Sequence, residues 1–216
     1  MLDMTIDLLR SGPPGRVLRQ FEIESALGGT PARRYGIVNR ALARGELVRL
    51  RRGLYVLPGI GGEVAGSSLV AANAIIHGSY VSCESALSFH GLIPERVTVL
   101  LSACQGRGSI FTNPLGEFRY YRIPARAGWF MEGVSSEETG GGRALVASPL
   151  RALADLAYTR RIEGPVRSFL VDSLRIDPDD LYSIEPSAVA SMKKAFRSGA
   201  VRRFLDGLLE LVREVA

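Results

Sequence analysis

The chain's 216 residues are 46% hydrophobic and 23% charged with a net charge of +5, which excludes a disordered, collagenous or disulfide-stapled protein. No apolar run reaches the ~18 residues of a membrane-spanning helix. The opening MLDMTIDLL carries acids where a signal peptide carries its positive region, so a cytoplasmic protein is expected.

Thr5–Arg10 has the pattern of a short first helix, closed by Ser-Gly-Pro-Pro-Gly at 11–15. Phe21–Leu27 fits a second helix, and Gly28-Gly29 the turn after it. Thr30 can cap a third helix, and Pro31 suits its first position, where the missing N–H costs nothing. Tyr35, Val38, Ala41 and Leu42 fall at helical spacing and make an apolar stripe, with Tyr35 expected in the core. Arg33, Arg34, Arg40 and Arg44 lie off that stripe, with Asn39 among them. After Gly45 the pattern becomes two short runs, Leu47-Val48-Arg49-Leu50 and Leu54-Tyr55-Val56-Leu57. They meet at Arg51-Arg52-Gly53, where Gly53 can take positive φ in a tight turn. Helix, turn, helix and Arg-tipped ribbon together read as a winged helix-turn-helix that binds double-stranded DNA.

Charge supports that reading through its distribution. Residues 1–60 hold ten Arg against five acids, whereas residues 61–216 hold seventeen cations and seventeen acids. Residues 28–58 alone carry seven Arg against Glu46, a local field that attracts phosphate and makes affinity salt-dependent. Arg33, Arg34, Asn39 and Arg40 are the candidates for groove contacts, with Thr30 at the helix start counted among the DNA-binding positions. Arg44, Arg49, Arg51 and Arg52 are the candidates for backbone contacts.

The fold class expected is α+β, with a winged helix at 1–58, a linker at 59–67 and a mixed α/β unit with C-terminal helices at 68–216. In that second unit an apolar helix is predicted from about Ser68 to Ile76, a short strand at Tyr80–Ser82, and a helix over Glu84–His90 with Gly91 behind it. Val97–Ser102 reads as a buried strand, and Ser109–Thr112 with Glu117–Ile123 as a hairpin around Asn113–Gly116. Phe130–Ser135 and Arg143–Ala147 read as further strands flanking Glu137–Gly142. Ser148-Pro149 opens a helix over Leu150–Tyr158, and helices are predicted beyond it at roughly 162–174, 186–197 and 200–215. The last presents Val201, Phe204, Leu205, Leu208, Val212 and Val215 on one face, a pattern of core packing.

Catalytic patterns are weak. Glu84 and His90 stand six residues apart, about 600° around a helix, which separates their faces. Ser85 and Ser88 beside His90 lack a G-x-S-x-G elbow and a third partner. Gly140-Gly141-Gly142 lacks the rest of a phosphate loop. Asp177, Asp179 and Asp180 lack calcium-loop spacing, and Asp177 or Asp179 reads as a helix-cap acid. Cys83 and Cys104 form no CxxC pair and are expected as reduced, partly buried thiols. No metal, no cofactor and no enzymatic activity are expected. Arg119-Tyr120-Tyr121-Arg122, with Arg126 nearby, interleaves base and aromatic on a predicted strand, a combination able to stack on nucleic acid or simply to face solvent.

Three segments then coincide in order: LVRLRRGLYVLP (47–58), YVSCESALSFHGLIPE (80–95), and VTVLL…NPLGEFRYYRIP with ASPLRALADLAY (97–158). Together they resemble the AbiEi family of antitoxins from type IV toxin–antitoxin systems. The resemblance implies an N-terminal winged helix that binds inverted repeats in its own promoter, giving negative autoregulation. It also implies a C-terminal domain that counteracts a co-encoded nucleotidyltransferase-type toxin without requiring a stable complex. Glu84, Ser85 and His90 match the family's signature segment, with no role attached to them. A homodimer on a palindromic operator fits the same picture. The other reading is a solitary winged-helix regulator whose C-terminal domain dimerises or senses a ligand.

Overall fold

A computed structural model of the chain describes residues 16–58, 67–95, 97–140, 142–182 and 184–213. The predicted helix at Thr5–Arg10 and most of the predicted linker lie outside them. The fold is α+β, built on two sheets. The first unit runs β1 (Val17–Arg19), α1 (Gln20–Leu27), α2 (Pro31–Ala43), β2 (Val48–Arg51) and β3 (Leu54–Val56). Its antiparallel sheet has the order β1-β3-β2.

The second unit opens with α3 (Ser67–Ile75), one residue inside the predicted linker, then β4 (Tyr80–Val81) and α4 (Cys83–Phe89). Next come β5 (Val99–Cys104), β6 (Ser109–Asn113), β7 (Gly116–Arg122), β8 (Val134–Thr139) and β9 (Gly142–Ala147). They join β4 in a six-stranded sheet, order β6-β7-β5-β4-β9-β8, parallel at β5/β7 and β4/β9. α5 (Pro149–Arg160), a helical segment at Val166–Ser168 that continues as a π-helical turn at Phe169–Ser173, then Pro178–Tyr182, Pro186–Ala195 and Gly199–Arg213 complete the described residues. Among the described residues, no helix is long and apolar enough to cross a membrane.

Local chemistry explains many boundaries. Thr30 Oγ1 accepts from Arg33 N at 3.3 Å with Pro31 behind it, and Ser148 Oγ accepts from Arg151 N at 3.3 Å ahead of Pro149. Asp177, expected as a helix-cap acid, precedes the helix at Pro178–Tyr182, and its Oδ1 accepts from Asp179 N at 3.0 Å. The β6–β7 hairpin closes at Asn113↔Gly116, where Asn113 Oδ1 takes Leu115 N at 2.9 Å. The terminal helix buries Val201, Phe204, Leu205, Leu208 and Val212 of the predicted stripe, and Leu211 besides, as core; Val215 lies outside the described residues.

Three expectations are corrected. Tyr35 is 72% exposed; Ile37 takes the buried position beside Val38 and Ala41, because at 100° per residue it lies nearly opposite Tyr35. The strand predicted over Phe130–Ser135 begins only at Val134, since Phe130 is drawn under Arg151 in a turn. The helix predicted over 162–174 starts at Val166, after Gly164 at φ 134° and Pro165.

The two units share their packing. Tyr55 and Leu57 belong to the core of the first unit, with Leu18, Ile23, Leu27, Ile37, Val38, Ala41 and Leu47. Leu54 and Val56, on the opposite side of the same strand, belong to the core of the second with Ala71, Ala72 and Ile75. A β-bulge between Arg49 and Arg51 sends Leu50 into that second core as well, and Leu50 O accepts from Asn113 Nδ2 at 3.2 Å. The uniformly apolar run Leu54–Leu57 is therefore a strand covered on both faces.

Candidate nucleic-acid interface

α2 starts from a turn in which Gly28 and Gly29 have φ of 56° and 73°, values open to glycine at little cost. Arg33 and Arg34 bend back over this turn: Arg33 Nη1 donates to Leu27 O and Arg34 Nη1 to Gly29 O, each at 2.8 Å. They satisfy carbonyls at the end of α1 and after it, which helical bonding leaves open. Each bond uses one of a guanidinium's five donors. Arg33, Arg40 and Arg44 are exposed, while Arg34 and Asn39 are half-buried. Thr30, a predicted DNA-binding position, is engaged as the helix cap.

On the ribbon, Arg49 lies over the Tyr55 ring at 5.8 Å from its centroid, and Tyr55 Oη donates to Gln20 Oε1 at 3.1 Å. Gly53 takes φ 75° at the tip, as the turn requires. The tip is pinned on two sides. Gln20 N donates to Gly53 O at 2.9 Å, and Arg51 Nε donates to Ile75 O at 3.0 Å, so Arg51 reaches into the second unit. Arg51 and Arg52 are both exposed.

Glu84, Ser85 and His90 are separated by the structure, each facing a different neighbour. Glu84 pairs with Arg160 at the end of α5. Ser85 Oγ donates to Val99 O at 3.3 Å and accepts from Leu101 N at 2.8 Å, completing the edge of β5. His90 Nε2 lies 2.9 Å from Ala147 O at the end of β9. Four contacts in three directions fasten α4 and the residue after it to their surroundings and bring no two of these side chains onto one reacting atom. Arg119 pairs with Glu117 at 2.7 Å, and Tyr120 is buried with its hydroxyl on Ala72 O, so the Arg-Tyr-Tyr-Arg run offers no paired aromatic platform.

Sequence reasoning misses the largest fully buried side chain, Arg151. Its Nε donates to Asp155 Oδ1 at 3.0 Å, Nη1 to Glu132 O at 2.9 Å and Trp129 O at 3.3 Å, and Nη2 to Tyr80 Oη. Asp155 Oδ2 accepts from Tyr80 Oη at 2.8 Å and Ser82 Oγ at 2.7 Å. The rings of Tyr80 and Phe196 stand 5.1 and 5.0 Å from the guanidinium carbon. Burial pushes the Asp155 carboxyl up from the ordinary carboxylate range, and Arg151 pulls it back; burial and then Asp155 push the Tyr80 phenol well up, so it stays a donor. Arg151, Asp155, Tyr80 and Ser82 are all fully buried. The signal of this knot is present in the sequence: Arg151 and Asp155 stand at i, i+4 in Leu150–Ala157, where the other residues are apolar.

Both thiols are buried, and burial pushes each above its ordinary range. Neither should react with a thiol-labelling reagent at neutral pH in the native protein, and both should react once it is unfolded. Labelling of the folded chain would show an opening of the core around α4 or β5.

No protein-family model matches the chain, and no curated protein matches it. Among solved structures, the chain is similar to the crystal structure of the RV2827C protein from Mycobacterium tuberculosis, with a TM-score of 0.67. The two are 14% identical over 97% of this chain and 75% of that one, a likeness of fold.

Proposed function

We propose that this chain is a non-enzymatic DNA-binding protein, with residues 16–58 acting as the core of a winged helix. We further propose that it is the antitoxin and autorepressor of a type IV toxin–antitoxin operon. The observation that carries the DNA reading is the density of cations on a capped helix and a pinned ribbon, seven Arg against one acid in residues 28–58. In this reading α2 enters the major groove and presents Arg33, Arg34, Asn39 and Arg40 to base edges, while Arg44, Arg49, Arg51 and Arg52 meet phosphate. The antitoxin reading rests on the resemblance of about residues 15–160 to AbiEi antitoxins. Its functional partner is a co-encoded nucleotidyltransferase-type toxin, and its DNA target an inverted repeat in its own promoter.

The test is binding of the purified chain to its own upstream DNA and to a scrambled duplex across a range of salt. With about five phosphates neutralised, log affinity should fall against log salt with a slope of about −4 to −5. Salt-independent affinity would overturn the assignment. Arg33→Ala should relax specificity by about 1–3 kcal/mol, whereas Arg52→Ala should weaken both duplexes alike. For the antitoxin claim, co-expression should relieve the growth arrest caused by the adjacent nucleotidyltransferase.

One observation favours the second reading, a regulator that senses a small molecule. A cavity of ≈ 430 Å³ in the second unit is lined by Leu92, Leu150, Ile184 and Met192, with Glu132, Asp180 and Glu185 also at its wall. An apolar ligand that raises the melting temperature and releases DNA would support it, and an adjacent nucleotidyltransferase gene would count against it.

A further inference from the structure

The cleft where the ribbon docks on α3 brings two arginines of the first unit together with an imidazole of the second. It has a volume of ≈ 380 Å³ and is walled by Arg19, Phe21, Glu24, Arg51, Gly53 and His77 among others. Arg19 ends β1, Arg51 ends the bulged strand β2, and His77 lies two residues beyond α3. All three side chains are exposed. We infer that this cleft seats a phosphate of the DNA backbone, held by Arg19 and His77 together with Arg51; the inference rests on the DNA-binding reading above.

Arg51 is preorganised for the task. Its Nε is held on Ile75 O at 3.0 Å and its Nη1 lies 3.4 Å from Arg52 O, so the guanidinium is fixed before any anion arrives. The same Arg51–Ile75 bond fastens the ribbon beside the stretch of chain that carries His77. A phosphodiester has two charged acceptor oxygens and suits a guanidinium on one side and an imidazole N–H on the other. Glu24, the acid on the wall, accepts from Gln20 Nε2 at 2.9 Å along its own helix. Phe21, 63% exposed at the rim, offers an apolar surface of the kind a deoxyribose covers. Gly53 brings the backbone of the Arg52 turn to the same opening, which makes the cleft continuous with the basic ribbon. A position outside residues 1–58 thus takes part in DNA binding.

The experiment compares the full-length chain with R19A/H77A on its own upstream duplex and on a scrambled duplex, by fluorescence anisotropy over a series of salt concentrations. The double variant should keep the wild-type melting temperature and lose affinity equally on both duplexes. Its log–log salt slope should be shallower by about 0.9, the value of one phosphate. Should Arg19→Ala disturb the start of α1, His77→Ala alone carries the test, with a loss of affinity on both duplexes still expected. Wild-type affinity and slope in both variants overturn the phosphate site and leave the DNA reading standing. A loss confined to the upstream duplex assigns these side chains to base reading and also overturns it. A wild-type chain that binds neither duplex overturns the DNA reading itself, and the inference with it.

Discussion

Asp155→Ala should cost the chain about 3–5 kcal/mol of stability, the cost of breaking a buried ion pair from one side. Both side chains of the Arg151–Asp155 pair are 0% exposed. Removing the carboxylate leaves the guanidinium charged in a solvent-free site with its Nε partner lost, and takes the acceptor from Tyr80 Oη and Ser82 Oγ. In a domain of this size each kcal/mol moves the melting temperature by about 2–4 °C, so a fall of roughly 6–20 °C is expected. The loss is not a measure of what the pair adds. R151M/D155L, which removes both charges and fills the space with apolar atoms, should recover part of it, the remainder being the cost of the partners lost by Tyr80 Oη, Ser82 Oγ and the Glu132 and Trp129 carbonyls. Thermal and denaturant unfolding of both variants decide the matter. A near-native melting temperature for D155A would mean that another acceptor reaches the guanidinium.

The second large effect concerns the N-terminal module. A fragment of residues 1–58 should show no cooperative unfolding transition and no wild-type DNA affinity. Cutting it from α3 exposes Leu50, Leu54 and Val56, which the full chain buries to 3%, 3% and 0% exposure. At about 1.5–3 kcal/mol for each large apolar side chain, the loss is roughly 5–9 kcal/mol, comparable to the whole stability of a small domain. The bonds from Asn113 to Leu50 O and from Arg51 to Ile75 O go with it. Circular dichroism through a thermal ramp is sufficient. A fragment that melts sharply and binds DNA like the full chain would show that the shared core is dispensable. In the full chain the single substitution Leu54→Ala should cost about 2–5 kcal/mol for the same reason.

Which parts of the molecule are legible in the sequence depends on the range of the interaction that fixes them. The helix starts at Thr30-Pro31 and Ser148-Pro149 rest on a hydroxyl reaching an N–H three residues on, and both can be read from sequence. The β6–β7 hairpin is legible because its turn residues adjoin its strands. The exposure of Tyr35 is not, because helical spacing alone admits more than one apolar face; contact with Leu18 and Leu27 in one cluster chooses the face of Ile37. The linker composition at 59–67 gives no hint that residues 50–56 pack against α3, since Leu50 enters the second core through a bulge that no local pattern announces.

By itself, then, the sequence determined the capped helices, the Arg-rich ribbon, the concentration of positive charge before residue 60 and the α+β class, all consequences of neighbours within a few residues. The tertiary structure decided how those parts face one another. It turned Leu54 and Val56 into one core and Tyr55 and Leu57 into the other. It set Arg51 on Ile75 O with His77 beside it, and closed Arg151 into a knot with Tyr80 and Ser82, residues about seventy positions away. These arrangements depend on which distant surfaces exclude water together, and that is set by the packing of the whole chain rather than by any segment of it.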